Sequence, residues 1–454
     1  MAQSLAEAGI GQPPPQDEVL FQPVEKTGRR FYILAAILLS FTMLFLISWF
    51  VQLRSGLGVT GLTVPVYWGI YITNFVFFIG ISHAGTLISA ILRICHAEWR
   101  RSITRAAEVI TVMVLLFGAG SVIVDLGRPD RALNIILHPN FRSPLMWDVC
   151  SITVYFTASV IYLYMPLIPD IALLRDRGNK WRWFYRTLSL GWQGTERQMH
   201  ILEKAISVMA ILVIPIAISV HTVVSWVFAM TVQPMWHSTI FGPYFVVGAI
   251  FSGIAALIIA LAIVRKVYGL QNYLKDIQFN NLGRLLLVMA LLWFYFTFAE
   301  HLTVYYGQEP EEMHILLSKI SGPYWPMFWG MFLCCFVVPV PILAIKRFRT
   351  VAGTVVASAF IVVGMWLERF IIVVPSLSQP RLLPSEVVYH PTWVELFVTL
   401  GFFATFILLY VLFTKIFPIV SVWEIQEGRE KSLDEVHERV LSYLPGPEKA
   451  HADR

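Results

Sequence analysis

The chain has 454 residues, of which 57% are hydrophobic and only 14% charged, against about 25% charged in an ordinary soluble domain. That balance excludes a typical soluble enzyme, and an aromatic share of 14% excludes a disordered or fibrous chain. The net charge of +5 is no nucleic-acid signal, because Lys and Arg are spread over short polar connections.

Residues 1–30 are polar, contain Pro13-Pro14-Pro15 and lack an apolar segment, so no signal peptide is expected. Ten apolar runs follow, near 31–52, 66–92, 106–126, 146–168, 202–230, 243–264, 284–306, 324–345, 351–374 and 393–417. Each can cross a hydrocarbon core of about 30 Å as a helix. The expected fold is an all-α polytopic membrane protein of about ten transmembrane helices, here called spans 1–10. With the N-terminus in the cytoplasm, 27 Lys and Arg fall on that side and 6 on the other (Arg54, Arg128, Arg131, Arg142, Lys319 and Arg381). That asymmetry predicts both termini to be cytoplasmic.

The longest predicted cytoplasmic loop, about 169–200, carries the basic aromatic stretch RDRGNKWRWFYR, suited to an anionic headgroup layer. After Pro418 the tail is charged and is read as a solvated or docking helix. Cys95, Cys150, Cys334 and Cys335 form no C-x-x-C pair, so no zinc or iron–sulfur ligand set is expected. Cys334-Cys335 reads as core packing.

FIGISHAGTLISAILR (78–93) in span 2 resembles FSGIAALIIALAIVR (251–265) in span 6. Spans 3 and 7 end in Gly127-Arg128-Pro129 and Gly307-Gln308-Glu309-Pro310. Spans 4 and 8 open on Ser143-Pro144 and Gly322-Pro323. Spans 2–5 and 6–9 therefore read as two parallel four-helix units, with spans 1 and 10 flanking them. The expected division is 1–30 cytoplasmic tail, 31–60 first flanking span, 61–232 first unit, 233–376 second unit, 377–417 last flanking span and 418–454 cytoplasmic tail.

Ionisable side chains inside spans are costly and so informative. They are His83, Asp125, Asp148, His221, Glu300, His301, Glu368 and Arg369. Glu108 and the pair Glu203-Lys204 lie near cytoplasmic ends, where snorkelling or pairing is the simpler reading. Glu395 lies near the outer end of span 10, where the same reading, snorkelling or pairing, holds. Asp125 shares a helical face with Thr111, Val114, Gly118 and Ser121, a small and polar seam for close helix contact. Both Asp125, placed to pair with Arg128 or Arg131, and Asp148, at a helix N-terminus, stand between a site role and a structural one. Counting from the ends of the runs sets His83 deeper than His221, which follows Pro215. Two histidines and two aspartates in one unit suit proton-coupled chemistry on a two-electron, two-proton carrier such as a quinol. In the second unit Glu368 and Arg369 fall on different faces, and a cross-helix pair of Glu300 with Arg369 is expected. Glu108, Glu300, His301, Glu368 and Arg369 are candidates for a proton path.

Gly80-Ile81-Ser82-His83-Ala84-Gly85, Asp125-Leu126-Gly127-Arg128-Pro129 and the doubled unit resemble the NrfD/polysulfide-reductase family of quinone-interacting membrane subunits. The flanking spans, Ser219-Val220-His221-Thr222-Val223-Val224-Ser225-Trp226 and Pro234-Met235-Trp236-His237-Ser238-Thr239, are most similar to the branch of bacterial alternative complex III, in particular its ActC subunit. The resemblance implies a subunit with no haem or cluster of its own in the bacterial inner membrane. It implies quinol (menaquinol or ubiquinol) bound near the non-cytoplasmic side of the first unit, where the polar residues make His83, Asp125, Arg128 and Asp148 candidate ligands and His83, Asp125, Asp148 and His221 candidate catalytic groups, the role of His83 being open between quinol ligand and proton relay. It further implies a peripheral iron–sulfur subunit of the ferredoxin-like or molybdopterin-enzyme type, multihaem cytochromes c and a second NrfD-like membrane subunit. In this reading Arg128 keeps an aspartate ionised by charge pairing. Three other classes compete: a cytochrome b with His83 and His221 as haem ligands, disfavoured by their different depths; a secondary transporter; and a passive anchor for redox partners.

Overall fold

A backbone in hydrocarbon must satisfy its own hydrogen bonds, so each apolar run has to fold as a helix. The structure, a computed structural model, describes residues 15–178, 181–379 and 387–430. Among them ten helices are long and apolar enough to cross a bilayer: α1 (Arg29–Ser55), α2 (Ile70–Ile94), α3 (Thr104–Asp125), α4 (Pro144–Asp176), α5 (Glu196–Ala229), α6 (Phe241–Val267), α7 (Asp276–Gly307), α8 (Trp325–Ala344), α9 (Val351–Ser378) and α10 (Trp393–Ile416). No strand occurs among the described residues. The chain is a multi-pass α-helical membrane protein.

Burial divides the helices by role. The most apolar stretch of α2 is 88% buried, that of α1 only 11%. α1 lies along α10 and turns most of its surface outward. α2 packs on α3 and α5, and α4 closes the ring by touching both. α6–α9 make a second ring, and α2 meets α6 and α9 where the rings join. Two glycines permit the closest crossing. A Cβ on Gly85 would stand 1.9 Å from Ala107 O, and one on Gly118 would stand 2.6 Å from Ile79 Cδ1. The small seam on α3 is thus a helix contact surface.

Three expectations need correction. α4 continues past 168 to Asp176, with Pro166 and Pro169 inside it, so the expected loop 169–200 is shorter and holds a helix of its own, Arg182–Leu188. α8 is interrupted: Trp325–Phe332 and Pro339–Ala344 are joined by a π-helical turn, Leu333–Val337. Pro339 and Pro341 lack the N–H groups that would carry the ladder through. Glu395 is fully buried and hydrogen-bonded rather than snorkelling to the surface.

The first and last described segments meet at one end of the bundle, here called the terminal face. Lys415 Nζ donates to Pro23 O (2.8 Å) and Lys26 O (3.0 Å), and Arg429 pairs with Asp17 (2.7 Å). Residues 422–430 form a docked helix, and the rest of the expected tail helix lies outside the described residues, as does Arg381. Cys335 is buried and the four thiols are free, consistent with packing.

Candidate functional site

α2 and α5 bring two histidines together. The rings of His83 and His221 lie 3.8 Å apart between centroids at 67°, and neither residue is exposed. The expected difference in depth is therefore wrong. α2 begins only at Ile70, so fewer turns separate His83 from the outer end than the length of the apolar run implied. His83 Nε2 lies 2.7 Å from Ala217 O. A carbonyl only accepts, so this nitrogen carries the proton and Nδ1 is the basic one. Nδ1 of His83 and both nitrogens of His221 have no protein partner. Rings in edge-to-face contact leave no layer between them for a porphyrin.

A side chain from α3 bonds into the backbone of α2 beside His83. Thr111 Oγ1 donates to Ser82 O (2.6 Å) and accepts from Thr86 N (3.2 Å), the two groups an α-helix would join directly. Tyr155 Oη donates to Ser82 O (3.0 Å) and lies 2.7 Å from Thr86 Oγ1. Farther along, Ser89 Oγ donates to Glu108 Oε1 (2.7 Å) and lies 3.3 Å from Tyr162 Oη. Glu108 is buried against these partners, not snorkelling. His83, Thr86, Ser89 and Arg93 are spaced three, three and four apart, so a polar stripe runs along α2 to the terminal face. There Arg93, Arg100 and Thr104 all bond Glu424 of the docked tail. Arg105 pairs with Asp170, whose carboxylate also accepts from Val422 N (3.0 Å) and Trp423 N (3.2 Å).

The aspartates lie toward the opposite face. Thr111 marks the level of His83 on α3, and Asp125 is 14 residues farther on, a rise of about 21 Å. Asp148 is seven residues from Tyr155, or about 10 Å. One ring-sized ligand cannot touch all four expected residues at once. Asp125 Oδ1 and Asp148 Oδ1 are buried and unpartnered. Arg128 does not pair with Asp125. Its side chain is 63% exposed and binds Asp130 at 3.2 Å, holding that carboxyl below its usual range. The cause is local: Gly127 takes a positive φ of 64° at the end of α3 and turns the chain away.

The second ring carries another cluster. Glu300, His301, Glu368 and Lys319 line a small cavity of about 20 Å³, room for one water. Arg369 does not reach Glu300. It stands 3.0 Å from Glu368, because two long side chains bridge the angle between neighbouring helical positions. Glu368 Oε1 also accepts from Trp293 Nε1 (2.8 Å). The Arg369 guanidinium sits over the Phe245 ring and against Gly248, pointing toward α2. Lys319 lies on the helix Pro310–Ile320, outside the spans, where burial lowers it to about 8 against the pull of Glu300 and Glu312.

Residues 58–380, most of both rings, match the family model described as polysulphide reductase, NrfD. The chain belongs to the NrfD family. It is 29% identical over 213 residues to a protein of Halobacterium salinarum named as a dimethyl sulfoxide reductase membrane subunit, a match spanning about half of each chain (47%). It is 24% identical over 86% of its length to a selenate reductase subunit of Mesobacillus selenatarsenatis, covering 95% of that protein. It is 23% identical over 91% of its length to an Hdr-like menaquinol oxidoreductase integral membrane subunit of Archaeoglobus fulgidus, covering all of it. Within this NrfD chain, sequence reasoning missed Arg105, Asp170, Tyr155 and Tyr162. The two tyrosines, seven apart on one face of α4, were a readable signal. Asp170 was not, because Pro166 and Pro169 made its surroundings look like a loop.

Proposed function

We propose that this chain is the quinol-oxidising membrane subunit of a respiratory or photosynthetic oxidoreductase complex, with the quinol head group bound at His83 and His221 in the unit 61–232. The observation that carries this reading is the buried imidazole pair with three nitrogens lacking partners. A pair offering both acceptor and donor fits a hydroxyl, which can fill both roles. The name of the archaeal relative favours menaquinol as the quinol. A groove of about 420 Å³ lies on the outward face of α5 beside Pro215, Thr222 and Trp226; His221 is not among its lining residues and sits on the buried side of the same helix.

Oxidation releases two electrons and two protons and leaves the quinone. His83 Nδ1 is the first proton acceptor, and a positioned base of this kind contributes roughly 10²–10⁴-fold. Protons leave by Asp148 and Asp125 toward the non-cytoplasmic side, the terminal face being cytoplasmic in a bacterial inner membrane. The stripe through Glu108 supplies a second path, and Glu300, His301, Glu368 and Arg369 a third through the unit 233–376. Electrons pass to a peripheral iron–sulfur subunit of ferredoxin-like or molybdopterin-enzyme type. The flanking spans, together with the stretches 219–226 and 234–239, favour the alternative complex III type, with multihaem cytochromes c and a second NrfD-like subunit as further partners.

Purification of the native assembly, with its visible spectrum, component subunits and extractable quinone, tests this function. Quinone and an iron–sulfur subunit in the preparation support it, and c-type haem supports the alternative complex III type. A lone chain with neither quinone nor redox partners contradicts it and favours a transporter.

A further inference from the structure

A chain of hydrogen bonds crosses four helices at the non-terminal end of the first ring. Tyr389 Oη donates to Glu395 of α10 and accepts from Ile70 N at the start of α2 (3.1 Å). The next residue, Tyr71, donates its hydroxyl to Gln52 Oε1 of α1 (2.7 Å). Gln52 Nε2 donates to Val124 O of α3 (2.8 Å), one residue before Asp125. Gln52 and Glu395 are both fully buried. Glu395 does more than cap its own helix: besides Thr392 N (2.9 Å) it accepts from Gly61 N (2.7 Å), on the connection between α1 and α2. Its carboxylate also lies within electrostatic reach of Asp125 and Tyr71. The fit admits no bulk, since a Cβ on Gly69 would stand 2.5 Å from Tyr389 Oη.

We propose that Gln52 and Glu395, on the two helices outside the four-helix rings, are positioning residues for Asp125, holding its carboxyl at the proton exit of the first ring. This rests on the proposed quinol reaction and adds to it a role for α1 and α10. Val124 O, on the peptide group next to Asp125, accepts from Gly127 N (3.4 Å) within the chain and from Gln52 Nε2 across helices, so Gln52 is the side chain from outside α3 that fixes the end of the helix carrying that carboxyl. Gln52 is in turn oriented by Tyr71, and Tyr71 by the Tyr389–Glu395 pair. A buried amide with both ends bonded holds one orientation, and breaking either bond frees it.

The test uses the intact complex and compares Gln52→Leu, Tyr389→Phe, Asp125→Asn and the double variant Gln52→Leu/Asp125→Asn. Turnover is expressed per assembled complex and KM for quinol is measured alongside. Gln52→Leu and Tyr389→Phe are expected to lower kcat severalfold or more with KM unchanged, because the head group binds about 20 Å from Asp125. The double variant is expected to be no slower than Asp125→Asn alone, since both changes disable one group. Tyr389→Phe keeps the ring, so it reports on the chain even if Gln52→Leu fails to assemble. Wild-type kcat in both single variants, or effects that multiply in the double variant, overturns the proposal. If Asp125→Asn itself turns over normally while a His83 variant does not, the exit through Asp125 falls and this proposal with it. If every variant including that of His83 is normal, the quinol site itself is misplaced.

Discussion

The imidazoles of His83 and His221 meet edge to face, 3.8 Å between centroids, across the contact of α2 with α5. The Ala217 carbonyl fixes the proton of His83 on Nε2 and leaves Nδ1 as its base. The two imidazoles thus form one contact pair rather than two separate sites.

Substitution of the pair follows from that unity. His83→Asn and His221→Asn are each expected to lower quinol turnover by roughly 10²–10⁴-fold in assembled complex. The double variant is expected to be little worse than either single one, because residues acting together are not additive. Steady-state rates on purified complex check this.

Gly248 admits the Arg369 guanidinium. A Cβ there would stand 2.7 Å from Nη2, and the Phe245 ring leaves the guanidinium little room to retreat. Gly248→Ala is expected to cost about 1–3 kcal/mol, as overpacking does. Adding Arg369→Lys, with its smaller head, is expected to restore much of the loss. Thermal melts of the solubilised protein measure both.

Lys319 predicts a pH dependence with a definite sign. Burial holds its ammonium at about 8 against 10.5 for a free lysine. Below that value the fold carries the full cost of the buried charge. Between about 8 and 10.5 the unfolded chain binds more protons than the folded one, so stability rises with pH across this window. The melting temperature of wild type relative to Lys319→Met is expected to climb over the same window.

Asp170 ties the tail to the bundle. Asp170→Asn leaves the buried Arg105 charge uncompensated, a change that costs about 3–5 kcal/mol in comparable pairs. It also weakens the acceptor for the first N–H groups of the helix 422–430. Faster hydrogen exchange confined to 418–430 is the expected signature.

The ten helices were legible because hydrocarbon leaves a backbone so few choices and because composition marks each run. The histidine pair was legible as residues but not as a pair, since depth counted from apolar runs ignores where a helix starts. Glu300 and Arg369 were matched by sign alone, yet the backbone gave Arg369 a nearer partner in Glu368. Gln52, a neutral residue in an apolar run, raised no signal although it joins α1 to α3. Polar contacts between helices depend on rotation and tilt, which single-chain periodicity does not fix.

The most direct test of the central claim is quinol turnover by the purified complex carrying His83→Asn, with bound quinone quantified in the same preparation. A loss of two or more orders of magnitude in turnover is predicted, at an unchanged level of assembly. Wild-type turnover and quinone content in that variant would contradict the placement of the reaction at the histidine pair.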